Sequence, residues 1–205
     1  MKRGIALGLV TTATLIGCSM YVAPTREESM QVVRSSFRER GIAKLDRLTQ
    51  SELQAACSEA ALSGTEVPKD VRVRLERQAL ATVKPPSDGV YFGDFKQGER
   101  IAQTGVGLQW SDNDKTVAGG NCYACHEMAP QEIAFGNIGP SLKGYGKLRG
   151  NSKEVVSYTW GKLWNSHAYN ACSQMPRYGD ANILTTAQLK DVMSLLLDPN
   201  SPVNK

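Results

Sequence analysis

Cys122-Tyr123-Ala124-Cys125-His126 sets two thiols and an imidazole within a single turn of chain. Two cysteines three positions apart, followed at once by histidine, form the attachment pattern of a c-type haem. The thiols add across the two vinyl groups as thioethers, and His126 turns under the iron as proximal ligand. Two other chemistries use similar residues. A CxxC thiol–disulfide centre usually follows a strand and opens a helix in a βαβ setting, which the flanking sequence lacks. A structural zinc site needs four ligands, and no second CxxC or suitable histidine pair exists in a chain with 2 His. The expectation is one covalent haem c on Cys122 and Cys125.

A second axial ligand must come from a distant segment, and the candidates are Met128, Met175, Met193, His167 and Met30. Met128 lies two residues beyond His126 and is tethered on the wrong side. Met193 falls in an apolar helical stripe, where packing accounts for it. Met30 lies outside the haem-bearing region, and His167 would give bis-histidine ligation. Met175 stands in a loop just before Pro176, whose ring biases the preceding residue towards extended backbone. It is the expected distal ligand, and Met/His ligation raises the reduction potential. A ligating histidine normally donates its other ring N–H to a carbonyl or carboxylate. Gly139-Pro140-Ser141-Leu142 follows the motif closely enough to supply one.

The cysteines number 5. Lys2 and Arg3 precede an apolar run, Ile5 to Ile16, too short to span a bilayer. It ends in Leu15-Ile16-Gly17-Cys18, a pattern like the box in which a bacterial lipoprotein is cleaved and lipidated. Residues 1–18 are therefore expected to be a signal segment with Cys18 carrying a lipid anchor; the alternative is ordinary cleavage nearby with Cys18 incidental, and both place the chain in the periplasm. Cys57 and Cys172 remain as an even pair in a compartment that permits disulfides. They are expected to be joined; the alternative is two buried thiols. The pairing would brace the Met175 loop against the N-terminal part of the chain. Basic residues number 24 against 20 acidic. Two of the basic ones lie in the signal, so the excess is too small for a nucleic-acid partner.

The elements that must position these residues are helical. Met30, Val33 and Phe37 recur at helical spacing, and Gly41 can end that helix. Thr49 and Glu52 read as a capping box with Leu48 and Leu53 as its staple. A third helix is expected from about Pro68 to Lys84, stopped by Pro85-Pro86. Arg34, Arg38, Arg40, Lys44 and Arg47 read as a solvated basic helical face, with a docking surface as the alternative. Further helices are expected over 95–103 and 152–164. The last is signalled by Thr185 and Gln188, with Leu189, Val192, Met193 and Leu196 at i, i+3, i+4 and i+7. No strand pattern competes. The organisation expected is a helical extension over 26–86 and a mainly α domain over 88–203.

The stretches "GGNCYACHEMAPQEIAFGNIGPSLKGYGKLRG" and "YNACSQMPRYGD" resemble the SoxX group of class I cytochromes c. "DGVYFGDFKQGERIAQTGVGLQWSD" fits the same group, and the likeness covers about residues 45–203. It implies a class I cytochrome c fold behind a small helical extension, with Cys122 and Cys125 as haem thioethers, His126 and Met175 as iron ligands, and the Pro140 carbonyl behind His126. It further implies the monohaem subunit of SoxAX, an L-cysteine S-thiosulfotransferase of bacterial sulfur oxidation. That enzyme conjugates thiosulfate oxidatively to a cysteine of the carrier SoxYZ. The catalytic cysteine would lie on a monohaem or dihaem SoxA-type partner, none on this chain, and electrons would pass on to another cytochrome c. The lipid anchor departs from the usual soluble members. The competing expectations are an independent periplasmic electron shuttle and an anchoring module.

Overall fold

A computed structural model describes residues 23–205, so Cys18 and its signal segment lie outside the described residues. The regular structure there is helical: α1 (Arg26–Ser36), α2 (Glu52–Ser63), α3 (Lys69–Ala81), α4 (Phe95–Gln103), α5 (Tyr145–Arg149), α6 (Lys153–Trp164) and α7 (Thr186–Leu197), joined by short 3-10 turns. Among the described residues no strand forms beyond one isolated bridge, Arg40 with Ala43. No helix among them is long and apolar enough to cross a membrane. Two compact units divide between Phe37 and Arg38. The first contributes α1, capped by a reciprocal box between Thr25 and Glu28. The second carries α2 to α7, so α2 and α3 share one unit with the chain beyond residue 88.

Capping explains most of the helix starts. Thr185 and Gln188 form the expected box on α7, and the Ser152 hydroxyl caps α6. At α2 the box is Ser51 with Gln54, two residues later than Thr49 and Glu52. Thr49 is spent elsewhere, because it closes the 3-10 turn Leu45–Leu48 with its amide on the Asp46 carbonyl. The next hydroxyl with a long polar residue at N3 therefore takes the role. Cys57 accordingly sits mid-helix. Helix α1 stops at Ser36 with Phe37 extended, short of Gly41, which makes a left-handed turn further on. Helix α3 stops at Ala81, three residues before Lys84.

The tightest helix pair is α4 on α7. Gly98 makes it possible, since a Cβ there would overlap the Asp191 carbonyl and press on Leu195. Around the crossing, Ser194 Oγ accepts from the Gly93 amide at 2.9 Å and donates to its carbonyl at 3.0 Å. Asp191 Oδ1 accepts from the Asp94 amide at 2.8 Å. The main core lies behind this crossing. It joins Ile101 and Ala102 of α4, Trp160 and Leu163 of α6, and Leu189, Val192, Met193, Leu195, Leu196 and Leu197 of α7 to Cys122, Tyr123 and Met128. A smaller cluster packs Leu53 of α2 and Leu75 of α3 around Ala171.

Because the obstacle at Gly98 is backbone, Gly98→Ala must push two helices apart. Overpacking of this kind costs about 1–3 kcal/mol, and urea unfolding followed by far-UV circular dichroism should show at least that loss. A midpoint equal to wild type would mean that the crossing is looser than described.

Candidate functional site

The CxxCH segment is one tight turn. Cys122–Ala124 is 3-10, opened by Asn121 in the left-handed region, and the His126 amide donates to the Cys122 carbonyl at 2.9 Å. Both cysteines are free thiols, Cys122 buried and Cys125 half-buried. Burial pushes the Cys122 thiol up to about 12, the hydroxyl of Tyr178 opposing only in part. The thiolate is the nucleophilic form of a cysteine, so burial makes Cys122 a poor nucleophile. Among the described residues no three His, Cys, Asp or Glu side chains converge.

The chain then folds back along the turn. The amides of Gly136, Gly139 and Leu142 donate to the carbonyls of Tyr123, Cys125 and Glu127, each at 2.8 Å. This ladder brings the Pro140 carbonyl to 2.7 Å from His126 Nδ1. A carbonyl can only accept, so Nδ1 carries a proton, and in the neutral imidazole this leaves the lone pair for a metal on Nε2. Gly139 is required at this point, because any Cβ would overlap the His126 ring. Below the turn, the Tyr123 hydroxyl donates to Glu99 Oε1 at 2.8 Å and accepts from the Ala129 amide at 3.3 Å. Burial raises the Glu99 carboxyl above the usual range despite that bond.

The segment 165–180 carries the other candidates. Met175 is half-buried and packs against the main core, to which Cys122 belongs. The Tyr178 hydroxyl donates to the Gly120 carbonyl, tying the chain three residues after Met175 to the chain two residues before Cys122. His167 is buried, and its Nε2 is 3.2 Å from the Ser173 carbonyl, which occupies that nitrogen. Burial, helped by the nearby Arg177, lowers its pKa and keeps the ring neutral. Met128 and Met193 are core side chains, 1% and 0% exposed, and Met30 belongs to the other compact unit.

Cys57 and Cys172 are joined, closing a loop of 115 residues. The disulfide ties α2 to the Met175 loop beside Ala171, whose amide donates to Glu76 Oε1 of α3 at 3.1 Å. Sequence reasoning reached the disulfide but missed Tyr178, Glu76 and Trp164, which carry no local motif. The Trp164 indole N–H is buried and meets no acceptor among the described residues. An indole only donates, and a haem propionate is an acceptor of the required kind. The residues present therefore fit a c-type haem: two unjoined thiols, an imidazole with Nε2 free, and a buried donor lacking a protein acceptor.

No protein-family model matches the chain. An uncharacterized lipoprotein of Aquifex aeolicus strain VF5 is 31% identical to it over 215 aligned residues, which cover 100% of both chains.

Replacing Cys57 and Cys172 together by serine removes the constraint on the long loop and should cost about 2–5 kcal/mol in urea unfolding. Amide hydrogen exchange over residues 170–178 should rise with it. Unchanged exchange there would show that the disulfide does not hold this loop.

Proposed function

The chain belongs to the same family as the Aquifex aeolicus lipoprotein; we propose that it is lipid-anchored, which that kinship supports, and that it is a c-type cytochrome, which the residues of the CxxCH turn support. In this reading it is the SoxX-like electron-accepting subunit of a SoxAX-type thiosulfotransferase. The observation that supports the haem assignment is the His126–Pro140 bond, which occupies Nδ1 and leaves Nε2 as the ring nitrogen for a metal. Cys122 and Cys125 hold the haem as thioethers, His126 and Met175 are its axial ligands, and Trp164 offers a donor to a propionate. The helices around this turn support a class I cytochrome c fold. Cys18 carries the lipid that keeps the protein at the periplasmic face of a membrane; mass spectrometry of the mature N terminus checks it, and an unmodified terminus would remove the anchor.

When bound, the haem supplies a one-electron acceptor. Joining the thiosulfate sulfur to a carrier cysteine thiol forms one S–S bond and releases two electrons and one proton. One haem takes one of those electrons, so a second acceptor or a second turn is required. That stoichiometry, with no catalytic cysteine assigned to this chain, favours a SoxA-type partner that holds the reacting sulfur. The carrier SoxYZ would present the acceptor cysteine, and another cytochrome c would remove the electrons.

Met175→Ala should abolish the weak red-edge Fe–S charge-transfer band of the ferric protein while leaving the haem attached. Protein purified from its native membrane should bring a partner with it, and thiosulfate should reduce its haem only in that partner's presence. A band that survives the substitution removes Met175 from the iron. Reduction indifferent to any partner would leave the independent shuttle as the function.

A further inference from the structure

The backbone of Met175 is held by a hydroxyl buried in the core. Ser166 is 0% exposed, and its Oγ–H donates to the Met175 carbonyl at 2.6 Å. The Met175 amide donates to Ser173 Oγ at 3.2 Å, so both polar groups of the residue's backbone are engaged. Ser166 is itself fixed. Lys162 Nζ donates to its carbonyl at 3.2 Å, and the neighbouring Asn165 side chain donates to Thr82 Oγ1 at the end of α3 at 2.9 Å. The hydroxyl therefore bonds Met175 from a turn that is anchored to another helix.

The geometry points to Ser166 as a positioning residue for the distal ligand: its bond to the Met175 carbonyl sets how often the thioether leaves the iron. This rests on the haem ligation proposed above. Opening the loop breaks the Ser166 bond, so removing the hydroxyl beforehand makes opening less costly. A net hydrogen bond of ordinary strength shifts such an equilibrium about threefold to tenfold. An added ligand that binds only the open state reports the change directly, because its apparent affinity scales with the open fraction.

Imidazole binding to the ferric, haem-loaded full chain is the test. Ser166→Ala should bind imidazole about threefold to tenfold more tightly than wild type, while keeping the Fe–S band before imidazole is added. Ser201→Ala is the control. Ser201 is also 0% exposed and donates to a backbone carbonyl at 2.6 Å, that of Leu195, but in the C-terminal turn. Its affinity should match wild type. Unchanged affinity in Ser166→Ala, or equal tightening in Ser201→Ala, would overturn the assignment. Should the alanine chain not accumulate, Ser166→Cys, near in size with a weak donor, must still tighten imidazole, and wild-type affinity there would overturn it too. A Met175→Ala protein that retains its Fe–S band would overturn the ligation itself rather than the role of Ser166 alone.

Discussion

Tyr178 donates its buried hydroxyl to the Gly120 carbonyl, and two distant pieces of chain meet through that bond. One side leads into Cys122, Cys125 and His126, a turn too short to surround anything by itself. The other side leads back to Met175. Burial makes the bond costly to break, since the phenol and the carbonyl would each lose their partner away from water. Burial also raises the Tyr178 pKa, keeping the phenol protonated and therefore able to donate. The rest of the second compact unit can be understood as what places these two ends. The crossing of α4 and α7 sets the core behind the CxxCH turn, and α6 delivers the 165–168 turn against the Met175 loop.

Helices α2 and α3 enter the same account. They pack on Ala171, accept its amide through Glu76, and hold Cys172 by the disulfide, all within four residues of Met175. The loop is thus gripped on one side by Tyr178 and Ser166 and on the other by α2 and α3. Grip from two sides suits a thioether ligand, which forms a weak bond and depends on the protein to stay in place. Any partner that docked on α2 or α3 would touch elements bonded directly to the Met175 loop.

Much of this was legible in the sequence where the signal is local. The α7 stripe, the Thr185 box, the span Phe95–Gln103 and the motif at Cys122 are each read from a few neighbouring residues. The cysteine pair needed only counting and a compartment. Thr49 misled because a local motif can be outcompeted by an adjacent turn, here the 3-10 turn Leu45–Leu48. Helix α5, five residues opened by a left-handed Gly144, has too little sequence to announce itself; it is held by the Asn204 side chain from the far end of the chain. Ser166, Tyr178 and Trp164 were invisible for the same reason. Their roles lie in bonds, or in an unmatched donor, that only the assembled fold defines.

The central claim is that the CxxCH turn carries a haem and is not a pair of working thiols. Intact mass and thiol titration of the mature, exported chain test it most directly. The mass should include one haem beyond the chain and its lipid, lost in the Cys122→Ala/Cys125→Ala double variant, and no thiol should react after denaturation without reductant. A chain whose mass contains no haem and that shows two reactive thiols would overturn it.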